Sequence, residues 1–192
     1  MTTELSKSEK RDGLIYGAVA GVLSVALSIV ALYYTRSADS YSSLFMVSTL
    51  LKIVGSIVIP VLFVYLLSRK YGVLWSFSHA LKSIYIFLAC SIIVGSLGIT
   101  IFQKNVDKMV VEESYHNLMN LKIIDMEGKG ASEEEIDEQL EVIELDKEFA
   151  LSDFSFRNTV APIFISLLMN FLFALILALL FRTSASPKAV NN

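Results

Sequence analysis

The sequence predicts an all-α integral membrane protein, with four transmembrane helices and an extramembrane acidic helical hairpin between helices 3 and 4. Three observations predict it. The 192 residues are 54% apolar and 18% charged, with a mean hydropathy of +0.60, against roughly 45–50% and about 25% in an ordinary soluble domain. Long runs are free of charge: residues 13–35, 83–103 and 158–181 hold no Asp, Glu, Lys or Arg, and residues 44–68 hold only Lys52. The charges are segregated as well, because residues 104–157 carry 15 of the 19 acids and 6 of the 16 bases, a local net of -9 against +6 elsewhere.

A hydrocarbon core about 30 Å thick needs about 20 helical residues at 1.5 Å each, so every run is long enough to cross. The first is preceded by Lys7, Lys10 and Arg11, as a signal peptide would be. Its 23 uncharged residues exceed a signal core of about 7–15, and Arg36-Ser37-Ala38 makes a poor cleavage site. An uncleaved span is expected. Within it Gly13, Gly17 and Gly21 recur every fourth residue, and Ala20, Ser24 and Ser28 continue a strip of small residues beside them. Such spacing lets helix backbones approach closely, whether for packing within the chain, for a seam between two copies or along a substrate path.

The second span holds Lys52 and Pro60. Seventeen residues separate Lys52 from Arg69, about 25 Å of helix, so the lysine stem reaches the far interface by snorkelling. A transport role is the alternative for an intramembrane lysine, but no Asp or Glu lies in any span to pair with it. Pro60, like Pro162 in the fourth span, is expected to bend its helix for packing.

The third span runs on from Lys104 to Glu127 without proline or glycine. One continuous helix beyond the membrane is therefore expected, stopping at Gly128-Lys129-Gly130. Ser132 and Glu135 then form a capping-box pattern that opens a helix over residues 133–149. On it Ile136, Leu140 and Ile143 form an apolar seam, with Glu134, Asp137, Glu138, Glu141 and Glu148 mostly on another face. Helices that lie on a membrane display Lys and Arg on their polar face, so this acidic pair stands clear of lipid and its seam is the candidate partner contact. The acids lack the alternating ligands of an EF-hand loop. The fourth span carries a second small strip in Ser166, Asn170, Ala174 and Ala178, whose one amide, Asn170, is expected to bond across a helix interface.

Basic residues cluster at Lys7, Lys10 and Arg11, at Arg69, Lys70 and Lys82, and at Arg182 and Lys188. Cytoplasmic segments retain such residues, which places both termini in the cytoplasm and residues 104–157 outside, in the periplasm. The single Cys90 excludes an intrachain disulfide framework and a Cys-rich metal site. His79 and His116 fall on opposite sides in this topology, and no HExxH or nucleophile motif accompanies either. No catalytic, cofactor-binding or metal-binding residue is assigned, and the charge pattern gives no nucleic-acid footprint.

The glycine-rich opening Gly13-Leu14-Ile15-Tyr16-Gly17-Ala18-Val19-Ala20-Gly21, the segment Trp75-Ser76-Phe77-Ser78-His79-Ala80-Leu81-Lys82, the turn and cap Gly130-Ala131-Ser132-Glu133-Glu134-Glu135-Ile136 and the closing apolar helix that ends at Arg182 resemble, in order and spacing, the bacterial membrane-protein family named domain of unknown function 4199, common in Bacteroidota. The resemblance covers most of residues 11–182. It implies a four-helix protein of the bacterial inner membrane and carries over no activity. The expected function is a non-enzymatic membrane interaction or assembly module whose hairpin meets a second copy or an envelope protein, with the lipid bilayer as its other partner. The alternative is a small transporter or channel using Lys52, Pro60 and Asn170.

Overall fold

A computed structural model of the chain describes residues 4–71, 75–152 and 160–182. Among them the elements are α1 (Lys7–Ser37), α2 (Tyr41–Ile53), α3 (Ile59–Tyr71), α4 (Phe77–Ile101), α5 (Lys108–Gly128), α6 (Glu133–Leu151) and α7 (Ala161–Phe181), with π turns at Val54–Val58 and Phe102–Val106. Four helical runs, Lys7–Ser37, Tyr41–Tyr71, Phe77–Val106 and Ala161–Phe181, are long and apolar enough to cross a membrane. The chain is thus a multi-pass membrane protein by length and composition. Residues 158 and 159, assigned to the fourth span by charge, lie outside the described residues.

Local chemistry sets the helix limits. Ser6 caps α1 through a reciprocal pair: its Oγ accepts from the Glu9 N–H at 3.2 Å, and Glu9 Oε2 accepts from the Ser6 N–H at 2.8 Å. Ser40 caps α2 by accepting from the Ser43 N–H at 3.3 Å. Between α2 and α3 the Ile59 N–H bonds to the Val54 carbonyl, five residues back. Pro60 explains the slip, since it has no N–H and deprives the Ser56 carbonyl of its α-helical donor. The bend expected at this proline takes the form of a π turn just ahead of it.

The third span does not continue unbroken into the hairpin as the sequence suggested. The Asp107 N–H bonds to the Phe102 carbonyl at 3.2 Å, closing the second π turn, and Asp107 itself leaves helical geometry with φ -147° and ψ 80°. Its Oδ1 then accepts from the Val110 N–H at 2.9 Å and starts α5 as a new helix. An aspartate N-cap, rather than glycine or proline, makes the break. Beyond α5, Gly130 takes φ 77°, and Ser132 and Glu135 cap α6 reciprocally. The helix α6 returns along α5, so that Ala150 meets Val110 and Val111.

Glycine sets the closest helix contact. α1 lies against α4 so tightly that a Cβ on Gly17 would stand 2.5 Å from the Phe87 carbonyl oxygen and 2.7 Å from Cys90 Cβ, and one on Gly21 would stand 2.7 Å from Val94 Cβ. Gly98 plays the same part from the α4 side, where a Cβ would stand 2.5 Å from Val25 Cγ2. The main core gathers at the end remote from α5 and α6. Val64, Leu67, Trp75, Ile84 and Phe87 are fully buried there, with Ala174, Leu177 and Ala178 of α7, and the Tyr16, Phe63 and Phe87 rings meet at a tilt along it at centroid distances of 5.5 and 5.9 Å. The half of the apolar helices nearer α5 and α6 has no comparable core among the described residues.

Candidate functional site

In place of that core the end nearer α5 and α6 holds a half-open cavity of about 690 Å³ between α1, α2 and the end of α4, overhung by α5 and α6, with Lys52 and Asp146 both exposed at its rim. The cover is fixed by the C-terminal end of α1. The last carbonyls of a helix have no partner within it, and Asn117 of α5 supplies one, its Nδ2 donating to the Thr35 carbonyl at 2.8 Å and the Ala38 carbonyl at 3.0 Å. Ser114 Oγ shares its hydrogen between the Leu32 carbonyl at 2.8 Å and its own Val110 carbonyl at 2.5 Å. Arg36 pairs with Glu113 at 2.5 Å, and the Tyr33 hydroxyl donates to Asp107 Oδ2 at 2.9 Å. Side chains of α5 therefore close the end of α1 and hold the cover at a set height.

The walls are amphiphilic. Leu27, Leu51 and Ile99 line the cavity alongside the hydroxyls of Ser48, Thr49 and Ser56. Ser28 and Thr35 line it too, but each donates back to its own helix, to the Ser24 carbonyl at 3.0 Å and the Ala31 carbonyl at 2.8 Å. Both π turns contribute, the first through Gly55 and Ser56, the second through Gln103. Such turns occur often at functional sites because they redirect side chains and widen a helix. Lys52 stands on the α2 wall with no ion pair to a described residue. Asp146 of α6 lines the cover beside Tyr115. Burial pushes the Tyr115 hydroxyl above its ordinary value, and the Asp146 carboxylate adds to the shift.

At the opposite end α1 and α3 are clasped. Asp12, only 6% exposed, accepts from the Lys70 ammonium and from the Tyr71 hydroxyl at 2.6 Å. A buried carboxylate needs such partners to stay ionised.

The residues singled out from sequence divide among several places. Gly13, Gly17 and Gly21 face α4, whereas Ser24 and Ser28 line the cavity, Ser24 also touching the position of Gly95. Ala174 and Ala178 enter the core. Asn170 does not reach across an interface: its Nδ2 donates to the Ser166 carbonyl of its own helix at 2.9 Å, which satisfies the amide locally. Ile136 is buried, and Leu140 and Ile143 are half-buried, on the helix that packs against α5. The most exposed apolar side chains of α6 are a neighbouring set, Val142, Leu145 and Phe149. Lys52 lines the cavity, while Pro60 is buried behind the π turn and Asn170 lines no part of it. The three are not brought together. Sequence reasoning passed over Ser48, Ser56, Gln103, Tyr115 and Asp146. Ser48, Lys52 and Ser56, spaced by four, share one helix face and carried the available signal.

Among the described residues no three His, Cys, Asp or Glu side chains gather closely enough to hold a metal ion. No curated protein and no solved structure matches the chain. A family described as "Protein of unknown function (DUF4199)" matches residues 15–183.

Proposed function

We propose, from the premise that the chain belongs to the DUF4199 family, that this multi-pass membrane protein is a non-enzymatic binding module whose hairpin covers a site for a small amphiphilic molecule. The observation that carries the reading is the cavity of about 690 Å³, walled by hydroxyls, leucines and a Lys52 that forms no ion pair among the described residues, and covered by a hairpin fastened to α1. A volume in the range of small-molecule sites, mostly apolar with a few convergent polar groups, is what binding requires. In this reading the basic segments around Lys7, Arg69 and Arg182 keep their side in the cytoplasm, the membrane is the bacterial inner membrane, and the cavity opens toward the periplasmic half. The packed core and the Asp12 clasp keep the cytoplasmic half closed, which favours binding over a continuous channel.

Ser48 lies in the cavity wall and offers the test. With Cys90→Ala as background, Ser48→Cys is expected to react with a maleimide several-fold more slowly than a cysteine at exposed Glu138, and to speed up after exhaustive delipidation. Equal rates before and after delipidation, with no small molecule retained in native mass spectra, would sink the reading. A cysteine at Glu138 labelled by impermeant reagent in intact cells tests the orientation.

Assembly through the hairpin is a second reading, supported by the exposed stripe of Val142, Leu145 and Phe149 at spacings of three and four. Cysteines along that stripe that form no crosslink, to a second copy or to any envelope protein, in living cells would end it.

A further inference from the structure

We infer that the occupant of the cavity is a phospholipid of the periplasmic leaflet with a zwitterionic phosphoethanolamine head, its phosphate on Lys52 and its ammonium toward Asp146. The inference rests on the reading of the cavity as a binding site and adds the ligand's chemistry. α1 serves as a ruler across the membrane. From Asp12 at one boundary, Leu27 lies fifteen residues away, about 22 Å, and Leu32 twenty residues away, about 30 Å. Gly55 rests against Leu27, where a Cβ would stand 3.6 Å from Leu27 Cδ1. Lys52, one turn from Gly55 toward the hairpin, therefore sits just inside a core about 30 Å thick. The cover lies higher: Ser114 bonds at Leu32, Tyr115 clusters with Leu32 and Ala150, and Asp146 is one turn of α6 beyond Ala150.

The two charges in the cavity are thus ordered along the membrane normal, cation nearer the core and anion above it, and they do not pair with each other among the ion pairs present. A phosphoethanolamine head has the complementary order, with phosphate next to the glycerol and ammonium at the tip. A phosphoglycerol head has no cation to offer Asp146. A soluble phosphate ester would have no use for the apolar wall of Leu27, Leu51 and Ile99. No described residue of α7 lines the cavity, while Ser56, one turn from Lys52 away from the hairpin, lines it and is exposed, so the acyl chains leave past this stretch of the second span into the bilayer.

The test is native mass spectrometry on the purified, delipidated full chain, titrated with phosphatidylethanolamine or phosphatidylglycerol of matched acyl chains. The wild type is expected to hold one phosphatidylethanolamine roughly tenfold more tightly than phosphatidylglycerol, the scale of one charge-assisted bond. Lys52→Gln should lose about tenfold for both lipids and Lys52→Arg should keep both, while Asp146→Asn should bring the two lipids to within about twofold of one another. Melting curves matching the wild type show that each variant is folded. Equal binding of the two lipids by the wild type, or unchanged binding by Lys52→Gln, would overturn the inference. So would glycerophosphoethanolamine, which has the head without tails, displacing the lipid at equal concentration. If neither lipid binds while Ser48→Cys stays protected, another molecule occupies the cavity: the phospholipid inference falls and the binding reading stands.

Discussion

Gly17 of α1 faces the Phe87 carbonyl of α4 across a gap that leaves no room for a methyl group, since a Cβ there would lie 2.5 Å from the oxygen. The obstacle is backbone, which cannot rotate aside as a side-chain tip would. Gly17→Ala should therefore force the two helices apart and cost about 1–3 kcal/mol, as overpacking does. Gly128, where an added Cβ would meet nothing within 4 Å, is the control. Gly128→Ala should be neutral or stabilising by up to about 1 kcal/mol, from helix propensity alone. Thermal unfolding in detergent separates the two, and equal melting temperatures would show that the α1–α4 contact yields to a methyl group without cost.

Asn117 closes the end of α1 with two hydrogen bonds to carbonyls that have no other helical partner. Asn117→Ala should loosen α5 from α1 at a cost of about 1–3 kcal/mol for the carbonyls left bare. Hydrogen exchange reads the effect by segment: α5 and α6 should exchange faster while the core around Phe87 stays protected. Faster exchange across the whole chain instead would mean that the hairpin is no separate unit.

The joint at Asp107 should respond to acid. The Val110 N–H first, and the Tyr33 hydroxyl second, hold the Asp107 carboxyl below its ordinary value of 3.8. A carboxylate depressed in the folded state stabilises it fully above the unfolded value and loses that contribution as pH falls through the folded one. Proteolysis between α4 and α5 should thus be slow at about pH 6 and rise below about pH 4. Asn caps a helix nearly as well as Asp, so Asp107→Asn should flatten the part of the profile due to this joint. An unchanged profile in that variant would assign the acid response to the other carboxylates of the hairpin.

The clasp at the opposite end joins Asp12 to Lys70 and Tyr71. Lys70→Ala and Asp12→Ala should each lower stability, and the double variant should fall short of their sum only slightly, because the Lys70 side chain is 49% exposed and its pairing is screened by water. A double-mutant cycle on unfolding in mixed micelles measures this, and strict additivity would show that the pair contributes nothing.

Much of the fold was legible because it follows from local rules. Charge-free length marks the four apolar helices, Ser132 and Glu135 announce the start of α6, and the spacing of Gly13, Gly17 and Gly21 marks the face of closest approach. The break at Asp107 escaped notice because proline and glycine are the louder stop signals, and an aspartate followed by Val110 reads as an ordinary helical stretch. The cavity was illegible for a different reason. It is the place where packing ends, and its Lys52 and Asp146 lie on helices far apart in sequence whose meeting depends on how α5 folds back on α1. Asn170, read as interhelical, found its partner four residues away, an option every helix offers an amide.

The core fills one half of the apolar helices and the cavity the other. If the cavity binds as proposed, a molecule packed at one end and open at the other would change its cross-section in a single leaflet when it loads or empties. The loading equilibrium would then be coupled to the lateral pressure of that leaflet alone, so that tapered lipids there would shift it and the same lipids in the other leaflet would leave it unchanged.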